Sequence, residues 1–133
     1  MRYTWPKNNT KMFMIKVTEF RLKLCVQNFE TVRDFYLNVL LFPVITQWDH
    51  GDDDKGAMFD TGSGIIEIMS PHEKYVPVQG CDVSLQVEDV NQLWESLQNK
   101  ATVIFPLRKN NWGDTSFCIS DPEGFHLTFF TKD

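Results

Sequence analysis

The chain has 133 residues, the size of one ordinary domain with a real core, so a single fold is expected. Its hydrophobic share of 42% includes eleven Phe and four Trp, yet no apolar run nears the roughly 18 residues a membrane span needs, so nothing reads as a transmembrane helix and no membrane partner is expected. The net charge of −5 is unevenly spread. Residues 1–24 carry six Lys or Arg against one Glu, whereas residues 25–133 carry seven against seventeen Asp or Glu, and so acidic a body argues against nucleic acid as a partner.

Residues 1–19 are expected to be an arm leading into the first strand. Its basic residues are dispersed among Asn, Thr and Met, and it lacks the apolar stretch of a secretory signal, so a cytoplasmic location is expected. Phe20 to Val26 alternates apolar and polar residues at period two, predicting a strand with one buried face. Asn28 is a good N-cap for a helix whose Phe29, Val32, Phe35 and Tyr36 form one apolar stripe. Pro43 to Trp48 predicts a second strand. Lys55 to Asp60 and Gly64 to Ser70 then form a hairpin across Asp60-Thr61-Gly62-Ser63. His50 and His72 fall in predicted loops. Asp52-Asp53-Asp54 lacks the alternating oxygen ligands and Gly of a calcium loop, and reads as a solvated hairpin tip.

The same order of elements then recurs. Cys81 to Val87 alternates like the first strand, Asp89 caps a helix striped by Val90, Leu93, Trp94 and Leu97, and Thr102 to Leu107 predicts a strand. Ser116 to Asp121 and Phe125 to Phe130 form the closing hairpin across Asp121-Pro122-Glu123-Gly124. An offset of 61 sets Leu22 on Val83, Leu24 on Leu85, Asn28 on Asp89, Asp60 on Asp121 and Glu67 on Thr128. The expected fold class is α+β: one domain of two related halves, each a strand, a helix and three strands. Cys25, Cys81 and Cys118 are well separated and form no Cys-x-x-Cys pair, so all three are expected to be free, buried thiols.

Alternation also assigns faces. Leu22, Leu24 and Val26 point to the helix, so Arg21, Lys23 and Cys25 line the other face, as do Asp82, Ser84 and Gln86 in the second half. Bulk water over that face would account for the polar set without any function. Ile65, Glu67 and Met69, with His126, Thr128 and Phe130, add large mixed side chains that suit a ligand cavity.

Arg33-Asp34-Phe35-Tyr36-Leu37-Asn38-Val39-Leu40 resembles the "FY…vLGF" helix end of the vicinal oxygen chelate superfamily, the group of glyoxalases, bleomycin resistance proteins and extradiol dioxygenases. Asp121-Pro122-Glu123-Gly124 resembles that group's "DPDGN" turn. Leu41 stands where Gly is usual, and Phe125 where Asn is common. The resemblance spans about Phe20 to Phe130 and is nearest to bleomycin-resistance-like members. It implies a single domain, 20–133, built of two tandem βαβββ modules, about 20–70 and 81–130, whose mixed sheets curl around a cavity. It also implies a homodimer.

Metal-dependent members of that superfamily hold one divalent ion on the first and fourth strands of each module. The resemblance and the repeat place those corners at Arg21, Glu67, Asp82 and Thr128. A guanidinium stays protonated and offers no lone pair, so the expectation is no metal and no cofactor, with Arg21 in the cationic role beside Glu67, Asp82 or both. Trp112-Gly113 resembles a "WG" element of the bleomycin-resistance-like members, although Thr115 stands where those relatives often have Arg. Trp48 is the other aromatic expected at the cavity mouth; both could equally be core or interface residues. His126 shares the Thr128 face as a candidate base or ligand, and Cys25 as a candidate nucleophile.

The expected function is a metal-free protein that binds, and can sequester, a small organic molecule through Arg21, Trp48, Glu67, Asp82, Trp112, His126 and Thr128. The alternative is a glyoxalase-like lyase or isomerase, with or without a divalent metal, in which Glu67 takes a proton next to a carbonyl. A scaffold with no ligand is the third reading.

Overall fold

The computed structural model describes residues 14–71 and 74–133; most of the predicted arm, and His72, lie outside these residues. Strand β1 (Arg21–Cys25) leads to helix α1 (Phe29–Asp34), which continues as a π-helical turn over Phe35–Val39. Strands β2 (Val44–Asp49), β3 (Lys55–Asp60) and β4 (Ile65–Met69) complete the first unit. The second runs β5 (Asp82–Gln86), α2 (Val90–Leu97), β6 (Thr102–Lys109), β7 (Asp114–Ser120) and β8 (His126–Lys132). Each unit closes a four-stranded mixed sheet, ordered β1-β4-β3-β2 and β5-β8-β7-β6, in which the outer β1–β4 and β5–β8 pairs are parallel. This is the α+β architecture of two strand-helix-three-strand units.

Local chemistry explains the helix starts. Asn28 Oδ1 accepts from the Thr31 amide at 3.4 Å, and Asp89 Oδ1 from the Gln92 amide at 3.1 Å, each satisfying a first-turn donor that has no helical acceptor. The striped faces then bury: Phe29, Val32, Phe35 and Tyr36 from α1 and its π turn, with Val90 and Leu97 from α2, join Phe59, Ile68, Phe117, Ile119 and Leu127 in one core spanning both sheets.

The π turn ends at Leu41, whose φ of 58° is the left-handed conformation that Gly usually supplies after a helix. An L-residue there costs about 1–2 kcal/mol. Leu41 is 74% exposed and has little packing to offset that strain. Leu41→Gly is expected to raise stability by about 0.5–1 kcal/mol, after subtracting the extra chain entropy of Gly, in urea denaturation.

The constant offset holds only in part. Arg21 pairs with Ile65 and Asp82 with His126, so β1/β5 and β4/β8 do superpose at 61. Met58 lies opposite Glu67 and Cys118 opposite Thr128, however, so β3 and β7 superpose at 60, and Asp60 corresponds to Ser120 rather than Asp121. The cause is the hairpin: Asp60 pairs Ile65 across four residues, whereas Ser120 pairs His126 across five. Bulges in β2 after Val44, and in β6 after Val103 and Phe105, shift the second strands as well.

The thiols also differ from expectation. Cys118 is buried, but Cys25 and Cys81 are exposed, because β1 ends on an open sheet face and Cys81 lies in the segment between the units.

Candidate functional site

The strand registers gather one set of side chains on the sheet faces away from the helices. In the first sheet these are Arg21, Lys23 and Cys25 on β1, Ile65, Glu67 and Met69 on β4, Met58 and Gly56 on β3, and Thr46 and Trp48 on β2. Glu67 is the buried carboxylate of this face, its side chain 8% exposed. Its cationic neighbour is Arg21, with Nη1 at 3.8 Å from Oε1, an ion pair too long for a hydrogen bond. Arg21 Nε meanwhile donates to Glu19 at 2.7 Å, and the Arg21 side chain is 42% exposed. Arg21 therefore bridges an outer and an inner carboxylate, at the rim of the face.

Trp48 lies flat over Gly56. A Cβ at Gly56 would stand 2.0 Å from the indole Cζ2 and 2.4 Å from Cε2 and Cη2, so only Gly permits this seat. Gly56→Ala is expected to eject the indole from the face and to cost about 1–2 kcal/mol, measured by chemical denaturation.

In the second sheet the corresponding face carries Asp82, Ser84 and Gln86 on β5, His126, Thr128 and Phe130 on β8, Ser116 and Cys118 on β7, and Phe105 and Arg108 on β6. Asp82 and His126 sit side by side and line an open groove of about 330 Å³ with Val78, Gly80, Cys81 and Gly124. The Asp82 carboxylate is exposed and makes no ion pair or hydrogen bond among the described residues. Its distance from Arg21 exceeds the 4.0 Å of an ion pair. Burial pushes the Cys118 thiol up; the Thr128 hydrogen bond and Arg108 oppose that, while Asp82 adds to it.

Arg108 and Phe105 were not among the expected site residues. The guanidinium lies over the Phe105 ring at 3.9 Å from its centroid, a cation–π contact that holds the donors in place. Strand register makes Arg108, opposite Ser116, the counterpart of Trp48, opposite Gly56. The bulges put Arg108 on this face, and bulges leave no mark in the alternation of the sequence. Trp112 is 69% exposed at the tip of the β6–β7 hairpin.

A family model described as "Glyoxalase/Bleomycin resistance protein/Dioxygenase superfamily" matches residues 17–129. The chain belongs to this superfamily. TioX from Micromonospora sp. ML1 is similar in structure, with a TM-score of 0.73 and 23% identity over 88% of this chain and 100% of that one. A superfamily member from Sphaerobacter thermophilus DSM 20745 gives 0.71 at 18% identity, over 90% of this chain and 100% of that one. Lactoylglutathione lyase from Agrobacterium tumefaciens gives 0.70 at 14% identity, over 88% and 95%. At such identities the likeness is one of fold. No curated protein sequence matches the chain.

The resemblance and the repeat set the metal-ligand corners of the superfamily's metal-dependent members at Arg21, Glu67, Asp82 and Thr128. These four do not fit a divalent ion: Arg21 has no lone pair to give, and its charge opposes a second cation 3.8 Å from Glu67. Among the described residues no three His, Cys, Asp or Glu side chains cluster as a metal set. Nor is any described helix long and apolar enough to cross a membrane.

Proposed function

We propose that this superfamily member is a metal-free, cytoplasmic homodimer that binds a small organic molecule between sheet faces, and needs no catalytic step to do so. The observation that carries this reading is Arg21 beside Glu67. A fixed positive charge stands where a metal would otherwise balance the buried carboxylate, and a buried carboxylate needs such a partner. Trp48, held flat by Gly56, and Arg108, held flat on Phe105, offer rigid surfaces that lose little rotamer freedom on binding. Asp82, His126 and Thr128 supply polar contacts, and Trp112 closes the mouth from its hairpin. The faces are open in one chain, with Arg21, Lys23, Asp82, Ser84 and Gln86 all exposed, which favours a cavity completed by a second copy.

A glyoxalase-like lyase or isomerase is the second reading, favoured by the buried Glu67 carboxylate, which could take a proton next to a carbonyl. In that case Arg21 is the group at hand to stabilise the enediolate. A thermal-shift and calorimetric screen with aldehydes, thiol conjugates and aromatic antibiotics separates the two. A ligand recovered unchanged, whose binding is lost in Arg21→Ala, is the expected result. Turnover that is lost in Glu67→Gln would replace the binding reading with the enzymatic one.

A further inference from the structure

Arg21 donates to Glu19 at 2.7 Å and Arg33 reaches Asp34 at 3.0 Å, whereas among the described residues no carboxylate lies within the 4.0 Å of an ion pair from Arg108. The chain has 18 Asp and Glu against 13 Lys and Arg, so acids are not scarce. What holds Arg108 instead is the Phe105 ring, whose centroid lies 3.9 Å from the guanidinium carbon. A ring occupies the flat face of a guanidinium and leaves its N–H edges free, and those edges are what grip both oxygens of a carboxylate. A bulge produces this stack. Phe105 pairs with Cys118 and Arg108 with Ser116, so three steps along β6 match two along β7, and Arg108 takes the face that strict alternation would give to Leu107. Pro106, which has no N–H to give to the ladder, falls inside the irregularity.

The neighbours of Arg108 suit an acid group as well. Ser116 and Asn110 are both buried, and Asn110 Nδ2 donates to Ser116 Oγ and to Asp114 Oδ1, each at 2.8 Å. Ser116 Oγ is thus an acceptor already used, and its own hydrogen has no acceptor among the described residues. Ser116 pairs in turn with Phe130, so an aromatic ring lies beside these donors on the same face. Asp82, the acid of this face, lies at the opposite corner. It sits on the outermost strand β5 and is level with Ser120, not with Ser116.

We propose that the molecule bound on this face is an aromatic carboxylate, its acid group held edge-on by Arg108 with the Ser116 hydroxyl, and its ring laid along Phe130. This rests on the small-molecule-binding reading above and adds to it the chemical class of the ligand and the residue that selects it. Selection comes from the cost of the wrong ligand. A neutral analogue that displaces water from the guanidinium edge gives no charge back, and a site built around a hydrogen-bonded group rejects an analogue lacking it more strongly than an apolar pocket rejects a change of shape. Asp82 fixes the direction of the ligand by repulsion, with the acid toward β6 and away from β5.

The test is calorimetric titration with naphthoate and with naphthamide, its neutral analogue of nearly the same shape. Wild type is expected to bind the acid at least roughly tenfold more tightly than the amide. Arg108→Gln is expected to abolish that preference, and Arg108→Lys, which keeps the charge but loses the planar fork, to lose most of it. Lys109→Gln removes the same charge from the next residue, on the other side of the strand, and is expected to leave the preference intact. Arg108 is exposed and makes no hydrogen bond among the described residues, so circular dichroism of its variants should match wild type. Equal affinity for acid and amide, or a preference that survives Arg108→Gln or falls equally in Lys109→Gln, overturns the carboxylate assignment and leaves the binding reading standing. So does a wild type that binds neither probe but binds another compound of the screen. Binding of no compound at all removes the binding reading together with this one.

Discussion

Asp121→Ala is expected to lower the stability of the fold by about 3–5 kcal/mol, because the carboxylate satisfies three donors in the interior at once. Oδ2 accepts from the Tyr36 hydroxyl at 2.9 Å, and Oδ1 from the amides of Glu123 at 2.9 Å and Phe125 at 3.0 Å. Tyr36 is fully buried and Asp121 nearly so, so truncation leaves the buried phenol without its acceptor. Burial, followed by the Asp121 charge and the hydrogen bond to it, holds the Tyr36 phenol well above its usual range, so it stays a neutral donor at any working pH. Since Tyr36 belongs to the first unit and Asp121 to the second, the bond also ties the two sheets to one core. Chemical denaturation at neutral pH measures the loss.

The same residue sets a pH dependence of definite sign. Burial is the largest influence on Asp121 and raises its pKa from 3.8, outweighing the hydrogen bonds from Phe125, Glu123 and Tyr36 that lower it. The folded state therefore holds this proton more tightly than the unfolded state. Its contribution to stability is fully present below the unfolded pKa and is lost as pH rises through the folded one. Asp121→Asn keeps an acceptor for the two amides and removes the titration. The stability of wild type relative to this variant is expected to fall as pH rises from 3.8 through the raised pKa, and then to level. A difference that grew with pH would contradict the assignment.

Glu123→Ala is expected to cost about 2–4 kcal/mol and to loosen the seam between the units. Its carboxylate accepts from the Gln27 amide at 2.8 Å and the Asn28 amide at 2.7 Å, at the N-terminus of α1, where negative charge is favoured. It also accepts from the Tyr75 hydroxyl at 2.9 Å, holding the segment between the units against the second unit. Stability by denaturation and amide hydrogen exchange at residues 27–32 should both report the change. Unaltered exchange there would show that Glu123 does not fasten the helix start.

These two residues mark the boundary of what the sequence discloses. Asp121-Pro122-Glu123-Gly124 is readable as a turn because Pro and Gly fix its backbone, but its carboxylates act on residues 85, 95 and 96 positions away. No local pattern encodes such distances. The strands and helices were legible because burial on one face imposes period two or a three-to-four spacing, and because Asn28 and Asp89 cap as their side chains predict. The faces were legible for the same reason, which is why Arg21 and Glu67 could be set on one side of a sheet. A bulge or one extra turn residue preserves composition while moving side chains across the sheet. That is how Arg108 reached the site unannounced and how Asp60 came to correspond to Ser120. The exposure of Cys25 and Cys81 was hidden because a thiol suits core and open face alike.

The central claim is that a fixed guanidinium has taken the place of a metal beside Glu67. Elemental analysis of protein purified without chelators, and again after exposure to Zn²⁺, Ni²⁺ or Mn²⁺ and desalting, tests it directly. The account predicts metal far below one equivalent per chain in both preparations, and thermal stability unmoved by chelator. One equivalent of a divalent ion retained by wild type and lost in Glu67→Gln would contradict it.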